Sequence, residues 1–217
     1  MRKRTLILAS GNPGKAREVA AILAPMGVHV QSIGELSPDF HVVEDGDTFA
    51  ANAQKKALAA YAATGKPSLA DDSGLCVNAL DGAPGVRSAR FGGPKLSDRA
   101  RAERLLDAIH DATRPRRAWF QCALVAVLPA SWLRNPGAHP HPAGLPRSQR
   151  LVTTEGRLNG VIGDELRGDG GFGYDPIFQP TGHGGATLAE LGEDEKNRIS
   201  HRGQALAALF ELLIPPQ

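Results

Sequence analysis

Asp71 and Asp72 stand side by side where the apolar run Ser68-Leu69-Ala70 gives way to Ser73 and Gly74. Successive side chains of a strand point to opposite faces, so one carboxylate faces a cleft unless the strand has already broken. Carboxylate oxygens at a strand end suit Mg2+, which takes one or two carboxylates together with substrate phosphates. An acidic turn, with Gly74 supplying an unusual dihedral, is the competing structural reading. Ser10-Gly11-Asn12-Pro13-Gly14-Lys15 lies between an apolar run and a helix-prone segment. A strand-to-helix junction aims N–H groups and the positive end of a dipole at one point, where an anion fits. Gly11 and Gly14 would let the backbone approach a phosphate, Lys15 would add charge and Asn12 a polar contact. The Walker A spacing is absent, and a plain turn would use the same residues.

Glu44-Asp45-Gly46-Asp47-Thr48-Phe49 leads to Asn52 and Lys56, which are four apart and share one helix face. An amide and a cation on one face could grip a polyphosphate, and the acids before them could hold a metal. Asp47 or Thr48 also serves as an ordinary N-cap. In Gly170-Gly171-Phe172-Gly173-Tyr174-Asp175-Pro176, Phe172 could stack on a base and Asp175 could accept base N–H groups. A core Phe in a glycine-rich turn is the plainer alternative. In Lys196-Asn197-Arg198-Ile199-Ser200-His201-Arg202, Ser200 is a good N-cap. His201 and Arg202 then fall in a first helical turn, where cations oppose the dipole. They make sense there if an anion or a keto oxygen is bound. Phosphate grips, a carboxylate set for a metal, an aromatic platform and a cationic base reader together describe a nucleoside triphosphate site.

The elements that must position these groups follow from periodicity. Thr5–Ala9, Val28–Ile33, Ser68–Ala70, Trp119–Leu128, Leu151–Leu158 and Val161-Ile162 read as strands, and 14–26, 48–63, 96–109 and 200–213 as helices. Their interleaving predicts an α/β layered architecture. Residues 129–150 hold five prolines, two histidines, three arginines and no acid, and read as a long exposed loop. The chain has 217 residues, 41% hydrophobic and 22% charged, which excludes a disordered chain, a collagen and a coiled coil. A net charge of +2 gives no surface built for nucleic acid. No apolar run is long enough for a membrane span or a signal-peptide core. Cys76 and Cys122 predict no disulfide scaffold and a cytoplasmic setting.

The chain closely resembles the non-canonical purine nucleoside triphosphate pyrophosphatases, the inosine/xanthosine triphosphate pyrophosphatase family. The matching stretches run from Ser10 to Glu18, Thr48 to Ala53 with Lys56-Ala57, Leu69 to Leu75, Gly82 to Val86 with Ser88-Ala89-Arg90, Gly171 to Pro176, and Ser200 to Arg202. They occur in family order and span almost the whole chain. The resemblance implies one ITPase-like domain over 1–217, with the Pro-rich loop as an insertion. It implies an elongated α/β fold of two lobes, with a long mixed central sheet flanked by helices and a cleft between the lobes. It further implies a homodimer that hydrolyses ITP, dITP and XTP to the monophosphate and pyrophosphate with Mg2+, cleansing the nucleotide pool.

Carried over by position, Ser10, Gly11, Asn12, Pro13, Gly14 and Lys15 would cradle the phosphates, supported by Asn52 and Lys56, and Ser73 would contact the substrate. Glu44 and Asp72 would hold Mg2+, with Asp72 the general base and Asp71 its neighbour. Phe172, Gly173, Tyr174, Asp175, Lys196, His201 and Arg202 would bind the base. Two features depart from the family pattern. The Pro-rich loop is long, and the acids read Glu44-Asp45 where two adjacent glutamates and then a Thr are common, which leaves the choice between Glu44 and Asp45 open. Two other readings stand beside this one: a pyrophosphatase for other modified or canonical nucleotides, and a non-catalytic nucleotide-binding module.

Overall fold

The computed structural model describes residues 4–214. Strands β1 (Arg4–Leu8), β2 (Val28–Ser32), β3 (Ser68–Val77), β4 (Arg117–Pro129), β5 (Gln149–Ile162) and β6 (Phe178–Pro180) form one mixed sheet in the order β2-β1-β3-β4-β5-β6. β1 is parallel to β2 and to β3, and β6 is antiparallel to β5. The flanking helices are α1 (Pro13–Leu23), α2 (Ile33–Leu36), α3 (Phe49–Thr64), α4 (Asp98–Ala108), α5 (Glu193–Ile199) and α6 (His201–Leu212). Among the described residues, no helix is long and apolar enough to cross a membrane.

The chain divides into two compact units. One comprises Met1–Asp72, Ala123–Glu155 and Arg202–Gln217, the other Ser73–Cys122 and Gly156–His201. In the first, Ala53, Ala57 and Ala60 of α3 are fully buried with Ile7, Ala70, Val125 and Val127. Their spacing of four and three keeps them on one face, and their small size lets the helix lie close to the strands. Thr48 caps α3 by accepting from the Ala51 N–H, and Gly65 ends it in the left-handed region. Asn52 and Lys56 adjoin this apolar face and are carried into the interior with it, at 1% and 8% exposure. In the second unit, Leu75, Val77, Leu105, Ile109, Phe120, Ile177 and Phe178 form the core.

Two expectations need correction. β3 does not stop at Ala70 but runs through both aspartates to Val77, with nearly every residue buried. A strand covered on both faces reads as one continuous run, and the two acids are tolerated inside because cations meet them. The segments expected at 151–158 and 161–162 are one strand, whose buried and exposed residues alternate from Val152 to Gly160. The Pro-rich stretch is, as expected, a largely exposed connection between two strands, β4 and β5, and it includes 3-10 turns at Ala130–Trp132 and Pro136–Ala138. Leu133 is buried and bridges Leu213, and Arg134 donates its backbone N–H to Leu212 O at 2.9 Å and its Nε to Leu213 O at 3.0 Å. Arg4 stacks over Trp132 and donates to Ile214 O at 2.6 Å.

Candidate functional site

In the first unit the unbroken β3 carries Asp71 and Asp72 into different company. Asp71 is fully buried, 2.9 Å from Lys15 Nζ and 3.1 Å from Arg202 Nη2. Arg202, 1% exposed, also donates to Glu18 of α1. Burial pushes the Asp71 carboxyl up, but Lys15, Arg202 and Lys56 outweigh it and hold the group far below the ordinary carboxylate range. Asp72 accepts from Asn52 Nδ2 at 3.0 Å through Oδ2, and its Oδ1 lies 3.8 Å from Lys56 Nζ. Burial raises this carboxyl above its ordinary value. Lys56, Lys15 and the Asn52 hydrogen bond oppose the rise, and the nearby Glu44 charge adds to it.

Lys56 also donates to Glu44 Oε2 at 3.0 Å, so Glu44 and Asp72 share one ammonium. Asp45 turns instead to Lys55 on the surface. Of the two neighbouring acids, Glu44 is therefore the one brought beside Asp72. Two carboxylates already drawn to one cation are the protein's usual share of a Mg2+ shell completed by phosphate oxygens. Among the described residues no three His, Cys, Asp or Glu side chains gather to hold a metal. The carboxylates available to a Mg2+ ion in this group are thus the pair Glu44 and Asp72.

Asn12 is the N-cap of α1, with Pro13 in the first turn. Its Oδ1 accepts from the N–H groups of Gly14 (2.8 Å) and Lys15 (3.2 Å), and Ser10 Oγ accepts from the Asn12 N–H at 3.2 Å. Two of the N–H groups that the sequence offers to an anion are thus donated within the loop. Lys15 remains the charged group of the junction, and Gly11, Asn12 and Pro13 are exposed.

In the second unit, Asp175 is buried and its Oδ2 accepts from Lys196 Nζ at 2.7 Å and from the Phe172 N–H at 2.9 Å. Lys196 Nζ sits 5.0 Å from the centroid of the Phe172 ring. The Gly173 N–H donates to Asp98 Oδ2 at 2.8 Å. Tyr174 packs into the core and donates its hydroxyl to Ser88 O at 2.9 Å, and burial raises its phenol. His201 stacks on Phe120 with centroids 4.9 Å apart. Ser73, half-buried on β3, also belongs to this unit.

Two ionic and polar groups therefore form. Lys15, Glu44, Asn52, Lys56 and Arg202 gather around the β3 acids Asp71 and Asp72, and Phe172, Asp175 and Lys196 form one cluster in the second unit. Glu18, Ser88 and Asp98 had no assigned role in the sequence. Glu18 falls one turn after Lys15 on α1, a spacing that places both on one face. Asp98 and Ser88 carried no such signal, since they lie 75 and 86 residues from the groups they hold.

The model of the Ham1 family matches residues 6–212. A dITP/XTP pyrophosphatase of Desulforamulus reducens is 46% identical over 209 residues, covering 96% of this chain and 94% of that protein. The one from Geobacter sulfurreducens is 46% identical over 210 residues, covering 96% of each. A HAM1 protein structure from Coxiella burnetii superposes with a TM-score of 0.77 at 38% identity, covering 95% of this chain and 96% of the other. With the family match spanning nearly the whole chain, and relatives this similar along their full length, the chain belongs to the Ham1 family.

Proposed function

We propose that this protein is a nucleoside triphosphate pyrophosphatase acting on dITP, XTP and ITP, releasing the monophosphate and pyrophosphate. The observation that carries the reading is Asp72: a buried carboxylate with a raised pKa, held by Asn52 and placed within reach of Lys56, with Lys15 on the adjacent Asp71. The names of the relatives support the substrate class.

A water oxygen attacks the α-phosphorus, the bond to the bridging α–β oxygen breaks, and pyrophosphate leaves. Asp72 takes the water proton, for which a carboxyl above its ordinary pKa is the better base. The ammonium groups of Lys15 and Lys56 offset the charge that moves toward the leaving group. Glu44 and Asp72 would hold Mg2+, which when bound supplies further positive charge at the phosphates. In the second unit, Phe172 offers a face to the base, and Asp175, Lys196 and His201 offer polar contacts to its edge. Donors such as Lys196 and His201 reward the 6-keto oxygen and penalise the 6-amino group of adenine, by about 1–3 kcal/mol per mismatched contact. Arg202, held by Asp71 and Glu18, we assign to the phosphate-side ionic group. The reading also includes a homodimer and a cytoplasmic setting, the latter supported by two buried free thiols.

The test is pyrophosphate release from ITP, dITP, XTP, ATP, GTP and CTP, with and without Mg2+. The three deaminated or oxidised purine nucleotides should turn over at least about 10-fold faster than ATP, and omission of Mg2+ should abolish turnover. Comparable kcat/KM for ATP and ITP would overturn the specificity, and release of orthophosphate would overturn the bond assigned.

A further inference from the structure

The spacing of Asn52 and Lys56 suggests two groups reaching for the same phosphates, but the amide of Asn52 is committed elsewhere. Its Oδ1 accepts from the Gly46 N–H at 2.8 Å, and its Nδ2 donates to Gly46 O at 3.3 Å and to Asp72 Oδ2 at 3.0 Å. The Gly46 N–H can only donate, which fixes the end of the amide that faces it. Both Nδ2 protons are then in use, and an amide oxygen has nothing to offer a phosphate.

Gly46 is the partner this arrangement requires. A Cβ there would stand 2.7 Å from Asn52 Oδ1 and 3.0 Å from the Ala51 Cβ, so only glycine lets the turn lie this close to α3. Glu44 is two residues before Gly46, and Lys56, which Glu44 contacts, is one helical turn beyond Asn52. One buried amide thus joins the turn that carries Glu44 to the strand that carries Asp72.

We propose that Asn52 is a positioning residue that clasps the Glu44–Gly46 turn to Asp72, so that both carboxylates are set for one cation, and that it does not itself grip phosphate. The inference rests on the roles given above to Glu44 and Asp72.

Asn52→Ala and Gly46→Ala, in the full chain, test it with two readouts. The first is amide hydrogen exchange over residues 44–47 without nucleotide or metal. Losing the acceptor of the Gly46 N–H, or forcing the turn away from it, should speed exchange by about 10-fold or more in both variants. The second is steady-state turnover of dITP across a Mg2+ titration. Groups that orient metal ligands affect metal affinity or activity by about 10- to 100-fold. The expectation is therefore a kcat loss in that range, a raised Mg2+ requirement and a KM for dITP within about 3-fold of wild type. Unchanged exchange, or a raised KM with kcat and Mg2+ requirement intact, overturns the proposal. If Asn52→Ala loses its cooperative melt, Gly46→Ala decides alone, since it removes neither the Asn52 nor the Asp72 side chain. If the wild type releases pyrophosphate from no triphosphate, the functional reading fails, while the exchange rates still decide the clasp.

Discussion

Asp72 is held where its charge is costly: burial lifts its carboxyl above the ordinary value, and the neighbouring lysines and Asn52 offset this only in part. Asp72→Asn removes the charge and keeps an oxygen that can accept from Asn52. Lys56 retains Glu44. The variant should lose at least about 100-fold in kcat, the usual share of a positioned general base. Its melting temperature should be equal to or above that of the wild type, because a neutral amide is less costly to bury. Calorimetry together with dITP turnover checks this, and a clear drop in melting temperature would show that the ionised carboxylate stabilises the fold. Much of this group was legible in the sequence. Two adjacent acids at the end of an apolar run, and an amide and a cation four apart on a helix, have periodic signatures. The contact between Arg202 and Glu18 was not legible, because it closes 184 residues of chain and nothing local announces it.

The loop from Gly170 to Asp175 and helix α5 show how backbone shape sets a cluster. Gly171 has φ +74°, and a Cβ there would fall 2.1 Å from Asp175 Oδ2 and 2.9 Å from Lys196 Nζ. Gly171→Ala would therefore push apart the Asp175–Lys196 pair that sits beside Phe172. The expected result is a KM for dITP raised about 10-fold or more, with a stability loss of about 1–3 kcal/mol by urea unfolding. An unchanged KM would detach this loop from substrate binding. Helix α5 was missed in the sequence although its ends are marked. Glu193, Asp194 and Glu195 fill its first turn and Lys196 and Arg198 its last, which matches the dipole. No residue of α5 is buried, so no apolar period reveals it. β6, three residues long, is too short for alternation to register. The long strands and α3 were legible because burial writes its period into them. The end of β3 was misplaced because its acids look like a boundary when cations out of sequence view make them interior residues.

Stability as a function of pH should bear the mark of Asp71. It joins β3 to Lys15 in α1 and to Arg202 in α6, and Arg202 carries the tie on to Glu18. Its folded pKa is depressed, so its contribution is present above the unfolded carboxylate value and is lost as pH falls toward the folded one. The raised Asp72 acts in the opposite sense, favouring the fold below its own pKa. Wild type should therefore lose stability steeply below about pH 4. Asp71→Asn should be weaker by about 3–5 kcal/mol at neutral pH, since two largely buried cations lose a shared partner. Its acid limb should also be flatter. Urea unfolding at several pH values measures both, and parallel curves for the two proteins would rule out the assignment.

Arg4 donates to Ile214 O and Arg134 to Leu213 O, so the start of β1, the Pro-rich excursion and the residues just after α6 are neighbours within the first unit. A variant in which a short linker joins Ile214 to Arg4 and the chain is opened at the exposed Pro146-Arg147 pair would keep β1, α6 and the charged groups around Asp71 in their present places.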